Sequence, residues 1–221
     1  MTRRALVYLH GFASSPRSSK ARFFGQRAIG AGWAYTCPDL NEPDFAALTV
    51  TRMIDQVDAA VESYGNGPVA LVGSSLGAFV AVHAAARRLA RGAIAPVDRL
   101  VLLAPALDLV SSLETDFGPA KMAAWERSGV LPVFHYGDDA MRELGWGFMP
   151  DARSYDSDAV RLDLPMLIYQ GLGDDVVRPA SVQRWVTARP HVTLRMVDDG
   201  HQLLGHMETM WADVATFLGG A

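Results

Sequence analysis

Val69-Ala70-Leu71-Val72-Gly73-Ser74-Ser75-Leu76-Gly77 is the stretch on which the reading of this chain turns. Its first half, VALVG, is short, continuous and apolar, the pattern of a strand covered on both faces. Its second half opens an Ala-rich segment, Leu76 to about Arg91, that reads as a helix. A strand that becomes a helix this abruptly needs a sharp turn. Gly73 and Gly77 remove side chains that would collide across it. The five residues Gly73 to Gly77 fit G-x-S-x-G, and in a strand–turn–helix setting that pattern lifts a serine out at the carboxyl end of its strand. The helix N-terminus beneath Ser75 favours developing negative charge. The plainer alternative is a simple connection with Ser75 as a helix cap.

The same alternation recurs on either side. Ala5–Leu9 (ALVYL), Trp33–Cys37, Arg99–Leu103 (RLVLL), Pro165–Gln170 (PMLIYQ) and Val192–Val197 read as further strands. Lys20–Ala31, Ala180–Ala188 and His206–Leu218 read as helices. So does an amphipathic stretch in which Val50, Met53, Ile54, Val57, Val61 and Tyr64 share one stripe, with Arg52, Asp55, Asp58 and Glu62 off it. Strands alternating with helices predict an α/β fold: a mostly parallel central sheet of about six to seven strands, helices on both faces. Residues from about 109 to 163 break the rhythm, with helical patches and no clear strand. They are expected to form a helical and loop insertion, a lid, over the carboxyl edge of one domain spanning 1–221.

Composition narrows the function. The chain has 221 residues, half of them apolar and a fifth charged, with a net charge of −4. That length suits one self-sufficient domain, and the charge offers no footprint for nucleic acid. The single cysteine, Cys37, excludes a disulfide framework and cysteine-rich zinc sites. The apolar run after Arg3 and Arg4 is too short for a secretion signal, and no run is long enough to span a bilayer. A cytoplasmic location is the expectation; nothing in the sequence bears on oligomeric state.

A serine hydroxyl is a weak nucleophile without a base, and the base must be oriented by a carboxylate. His201 follows the last strand in Asp198-Asp199-Gly200-His201-Gln202, at the same sheet edge as Ser75, with His206 the nearby competitor. His83 reads as packed, His135 as a possible substrate contact and His191 as exposed. Asp174, in the loop after the fifth strand, is the preferred acid; Asp175 and Asp108 are alternatives. Ser75, Asp174 and His201 then follow in the order Ser, Asp, His. Two donors for an oxyanion are expected: the backbone N–H of Leu76 and that of Phe12, in the loop after the first strand. His10 braces that loop or touches substrate.

These residues resemble the α/β-hydrolase superfamily over nearly the whole chain. More narrowly, Tyr8-Leu9-His10-Gly11-Phe12-Ala13-Ser14-Ser15-Pro16 through Lys20-Ala21 is similar to the opening of short bacterial esterases of the YqiA type, which share a G-S-S-L-G elbow and a late Gly-x-x-Asp. Ala78 stands where such proteins often have glycine, and the insertion is longer. The resemblance implies that Ser75 is the nucleophile, Asp174 the acid and His201 the base. It also implies esterase-like activity with no metal or organic cofactor.

The insertion carries Phe117, Trp125, Phe134, Tyr136, Trp146, Phe148 and Tyr155. Such aromatics form either a small core or the wall of an apolar pocket. Met122, Trp125, Leu131, Trp146 and Phe148 are the wall candidates. The expected reaction is hydrolysis of a small-molecule carboxylic ester or thioester with a small to medium apolar acyl or aryl group. The alternatives are a peptidase, a carbon–carbon hydrolase or a perhydrolase on the same residues, or a binding module without turnover.

Overall fold

A computed structural model of the chain describes residues 4–92 and 97–219. In chain order it runs β1 (Ala5–Leu9), α1 (Ser19–Gly30), β2 (Ala34–Thr36), α2 (Val50–Glu62), β3 (Val69–Ser74), α3 (Leu76–Ala90) and β4 (Val97–Leu103). There follow α4 (Leu109–Ser128), β5 (Val130–His135), β6 (Ala140–Gly145), α5 (Phe148–Ala152), β7 (Met166–Gly171), α6 (Pro179–Thr187), β8 (Val192–Val197) and α7 (Met207–Phe217). Short 3₁₀ turns lie at Phe45–Ala47 and Leu204–His206.

Six strands form one sheet in the order β2-β1-β3-β4-β7-β8, every neighbouring pair parallel. The sheet divides the apolar residues by strand alternation. Val7, Leu9, Val69, Leu71, Leu100, Leu102 and Ile168 face one core, with α2, α3 and α6. Leu6, Tyr8, Val72, Val101, Leu103 and Tyr169 face the other, with α1 and α7. Both faces are therefore covered, which is why these strands read as unbroken apolar runs. The fold is the α/β architecture that the alternation predicted, a parallel sheet with helices on both faces.

The helices begin where their caps dictate. Ser18 Oγ accepts the Ala21 N–H at 3.3 Å, and Thr49 Oγ1 accepts the Arg52 N–H at 3.1 Å. Of the predicted stripe, Val50, Met53, Ile54, Val57 and Val61 are buried on α2 and Tyr64, beyond its end, is half-buried; Asp58 is buried with them, 8% exposed. Arg87 and Arg88 of α3 approach its carboxylate at 2.7 and 3.1 Å. That pairing joins α2 to α3, and a pattern within one helix does not reveal it.

The insertion departs from expectation. Where no strand was expected, β5 and β6 form an antiparallel hairpin, Val130 opposite Gly145 and His135 opposite Ala140. Two features hide it in the sequence. Pro132 looks like a breaker, yet a two-stranded ribbon is all edge and tolerates proline. In β6, Met141, Arg142 and Glu143 are all exposed and only Leu144 is buried, so no alternation marks it. The hairpin is held from outside: Trp125 Nε1 of α4 donates to the Leu144 carbonyl at 3.0 Å. A Cβ on Gly145 would stand 2.4 Å from the Ala46 carbonyl. Within α4, Gly118 (φ 69°) and Pro119 divide the helix at a kink.

Candidate active site

Because all six strands run parallel, the loops after β1, β3, β7 and β8 open at one edge. The chain reverses direction of travel across the sheet between β1 and β3, the place where such folds form a crevice. Ser75 sits there, at φ 53° and ψ −116°. A side chain held at positive φ is strained, and the surroundings must enforce it. They do so by close backbone approach. A Cβ on Gly73 would lie 2.4 Å from the Gly77 carbonyl, and one on Gly77 would lie 2.1 Å from the Leu9 carbonyl. The Ser75 N–H donates to the Leu103 carbonyl at 2.9 Å, fastening the turn to β4. Ser75 makes no side-chain capping bond, so the helix-cap alternative does not hold.

Asp174 and His201 meet through a second close approach. A Cβ on Gly171 would lie 2.5 Å from the Asp199 carbonyl and 2.7 Å from that of Gly200. The Gly173 N–H donates to the same Asp199 carbonyl at 3.0 Å. The loops after β7 and β8 thus lie backbone to backbone, and His201 Nδ1 is 2.9 Å from Asp174 Oδ2. The carboxylate takes three more donors: Oδ1 accepts the N–H groups of Val176 and Val177 at 2.9 and 2.8 Å, and Oδ2 accepts Gln170 Nε2 at 3.0 Å. Burial alone would raise the Asp174 pKa, but the bonds from His201, Val177 and Gln170 hold it below the usual carboxylate value. An ionised Asp174 requires the proton of neutral His201 to be on Nδ1, leaving the Nε2 lone pair for the groove in front.

The competitors are engaged elsewhere. His206 Nδ1 lies 3.1 Å from Asp199 Oδ2. Asp175 is exposed, and Asp108 lines a cavity without touching His201. His83 is buried against Phe79 and Tyr155, with Nε2 3.1 Å from Ser157 Oγ. His135 is buried edge-on to Phe45 and lines neither cavity described below. His10 also lines neither. Its Nε2 accepts the Leu40 N–H at 3.0 Å and its Nδ1 is 2.9 Å from the Gly11 carbonyl, so it braces the loop and has no nitrogen left for substrate. Gln170 was missed: fully buried on a strand, it carries no signal separating it from any core position.

Two cavities flank Ser75. One, of about 320 Å³, is walled by apolar side chains, among them Phe12, Leu113, Phe117, Trp125, Leu131, Val133, Leu144 and Phe148. Of the wall candidates, Trp125, Leu131 and Phe148 line it; Met122 and Trp146 do not. Met122 is packed in the core, and Trp146 stacks edge-on behind Trp125 at 5.2 Å. The other cavity, a groove of about 710 Å³, holds His201, Gln202 and the polar loop after β1. Ser75, Phe12 and Val176 line both. No direct hydrogen bond joins Ser75 Oγ to His201. Among the described residues no group of three or more His, Cys, Asp or Glu is gathered to hold a metal. No described helix is long and apolar enough to cross a membrane.

The chain therefore presents an α/β-hydrolase fold with a serine, an aspartate and a histidine at one sheet edge. It belongs to UPF0227, described as an uncharacterised protein family, whose model matches residues 5–217. It is 23% identical over 183 residues to the mitochondrial palmitoyl-protein thioesterase ABHD10 of Bos taurus, over 78% of this chain. It spans 57% of the length of that relative. A protein of Agrobacterium vitis S4 provisionally described as a hydrolase superposes with a TM-score of 0.87 at 23% identity, over 97% of this chain and 88% of that one. Mouse α/β hydrolase domain-containing protein 10 superposes with a TM-score of 0.79 at 20% identity, over 97% and 89%.

Proposed function

We propose that the protein is a serine hydrolase that cleaves a carboxylic ester or thioester of a small to medium apolar acyl or aryl group. The observation that carries this reading is the pairing of buried Asp174 with half-buried His201, 2.9 Å apart, opening on the groove that Ser75 also lines. His201 Nε2 takes the Ser75 proton as Oγ attacks the carbonyl carbon. Asp174 keeps the tautomer and stabilises the imidazolium that forms. The carbonyl oxygen, now an anion, meets the N–H groups of Leu76 and Phe12. The first belongs to the opening turn of α3, where amides have no partner within the helix. His201 then gives its proton to the leaving oxygen or sulfur, and an acyl-serine remains. Water, deprotonated by His201, releases the acid. Such contacts are often long without substrate and tighten in the complex, which accommodates the open Ser75–His201 gap. The insertion, residues 109–163, acts as the lid of the single domain and supplies much of the apolar wall for the acyl group. The bovine relative, named a thioesterase, supports including thioesters.

A fluorophosphonate probe tests the reading. It should label the folded protein at Ser75 and leave Ser75→Ala unlabelled. A folded wild type that resists labelling, or a Ser75→Ala that labels equally, overturns it.

A further inference from the structure

The polar groove on the far side of Ser75 has a composition the hydrolase reading does not require. Among the described residues two cations, Lys20 and Arg17, line it and no carboxylate does, in a chain whose net charge is −4. Lys20, the second residue of α1, is 8% exposed. It makes no ion pair or hydrogen bond with any described residue, and its ammonium keeps contact with the groove while the rest of the side chain is buried. Burial lowers its pKa to about 8, while the nearby charges of Asp174 and Asp199 pull the other way. Arg17 is exposed at the rim, donates to the Gly137 carbonyl at 3.3 Å and is paired with no carboxylate. Ser18 and Ser19 bring the N-terminus of α1 to the same groove, and its first turn carries no acidic residue. That end of a helix attracts negative charge.

The position of His201 says which half of a substrate would lie here. It lines this groove and not the apolar cavity. A general acid must hand its proton to the departing atom, so the leaving group lies on the His201 side. The acyl half is left with the apolar cavity. We propose that Lys20, assisted by Arg17, forms an anion subsite for the leaving-group half of the substrate, so that the preferred ester or thioester carries a carboxylate or phosphate on its alcohol or thiol side. This deepens the hydrolase reading and rests on it.

Matched butyryl thioesters test the subsite: pantetheine against 4′-phosphopantetheine for phosphate, and N-acetylcysteamine against N-acetylcysteine for carboxylate. Wild type should favour the charged member of at least one pair by tenfold or more in kcat/KM. Lys20→Met should cut that ratio by tenfold or more, chiefly through KM; Lys20→Gln should do the same and Arg17→Ala less. Lys20→Met removes a buried charge, so its Tm should equal or exceed that of wild type. A ratio near one in both pairs, or a ratio that Lys20→Met leaves intact, overturns the subsite. Cleavage of the neutral thioesters by wild type, and its loss in Ser75→Ala, reports on the hydrolase reading alone. If no thioester is cleaved, the free thiols are titrated against the protein. Tighter binding of a charged thiol, lost in Lys20→Met, then upholds the subsite, and equal binding of charged and neutral thiols overturns it.

Discussion

Asp174 and His201 stand 27 residues apart in sequence and 2.9 Å apart in space, and the carboxylate that orients the imidazole is itself held by two backbone amides and the Gln170 side chain. Asp174→Asn keeps the shape and removes the charge. The carboxamide then presents an NH2 to groups that are all donors, and the His201 tautomer is no longer enforced. By analogy with the serine-protease triad, kcat should fall by about 10⁴-fold with KM little changed. Asp175→Asn, one residue on and exposed, should stay within about threefold of wild type by the same ranking of carboxylates. Steady-state kinetics on one activated ester, with circular dichroism as the folding control, decides between them.

The apolar cavity should set acyl-chain length. Leu131 and Leu144 face one another across the hairpin and both line it. Leu131→Phe fills part of its 320 Å³. The optimum of a p-nitrophenyl ester series from acetate to dodecanoate should shift to shorter chains. The longest productive ester should lose about tenfold or more in kcat/KM, as one methylene in an apolar pocket is worth about 1–3 kcal/mol. An unchanged profile would mean that the acyl group lies elsewhere. Met122→Ala, off the cavity, should lower stability and leave the preferred length alone.

The elbow glycines should be intolerant for reasons of space. Gly77 has no positive φ, but a Cβ there would stand 2.1 Å from the Leu9 carbonyl and 2.6 Å from that of His10, both backbone atoms that cannot yield cheaply. Gly77→Ala should cost more than about 3 kcal/mol or prevent folding, at the severe end of single substitutions. Gly30→Ala, at the end of α1 with nothing within 4 Å, should be stabilising by about 0.5–1 kcal/mol. Urea unfolding of the two variants gives the comparison.

Acid should weaken the protein through a residue outside the site. Burial pushes His83 down to about 4 from its usual 6.5, with Asp156 acting in the opposite sense. Between those values the unfolded chain binds a proton that the folded chain refuses. Stability is therefore complete above about pH 6.5 and declines as pH falls toward 4, by about 2–3 kcal/mol. Asp174 adds to the acid limb at lower pH: its depressed folded pKa stabilises above the unfolded value of about 3.9 and is lost below it. Urea midpoints at pH 7 and pH 5 should differ in wild type and converge in His83→Gln. Equal loss in both would assign the effect to other groups.

Much of the architecture was legible in sequence. The six central strands, the helices of the two layers and the loops bearing Ser75, Asp174 and His201 all announce themselves through local pattern. Apolar runs of five or six residues, stripes with a helical period and glycines at turns depend on neighbours in the chain. The hairpin was not legible, because Pro132 disguises β5 and three consecutive exposed residues disguise β6. Nor was the burial of Asp58, whose partners Arg87 and Arg88 sit on another helix.

The sequence by itself determined the order of the six central strands and their covering helices, the sharp turn at Ser75 and the residue types available at the sheet edge, since each follows from contacts a few residues long. Only the tertiary structure decided which carboxylate meets His201, because that depends on Gly171 and Gly173 letting two distant loops pack backbone to backbone. It also placed His10, Met122 and Trp146 away from both cavities and buried Lys20 at the groove that Ser75 lines. In each case the deciding quantity is desolvation or close approach between segments far apart in sequence, and no local pattern encodes that.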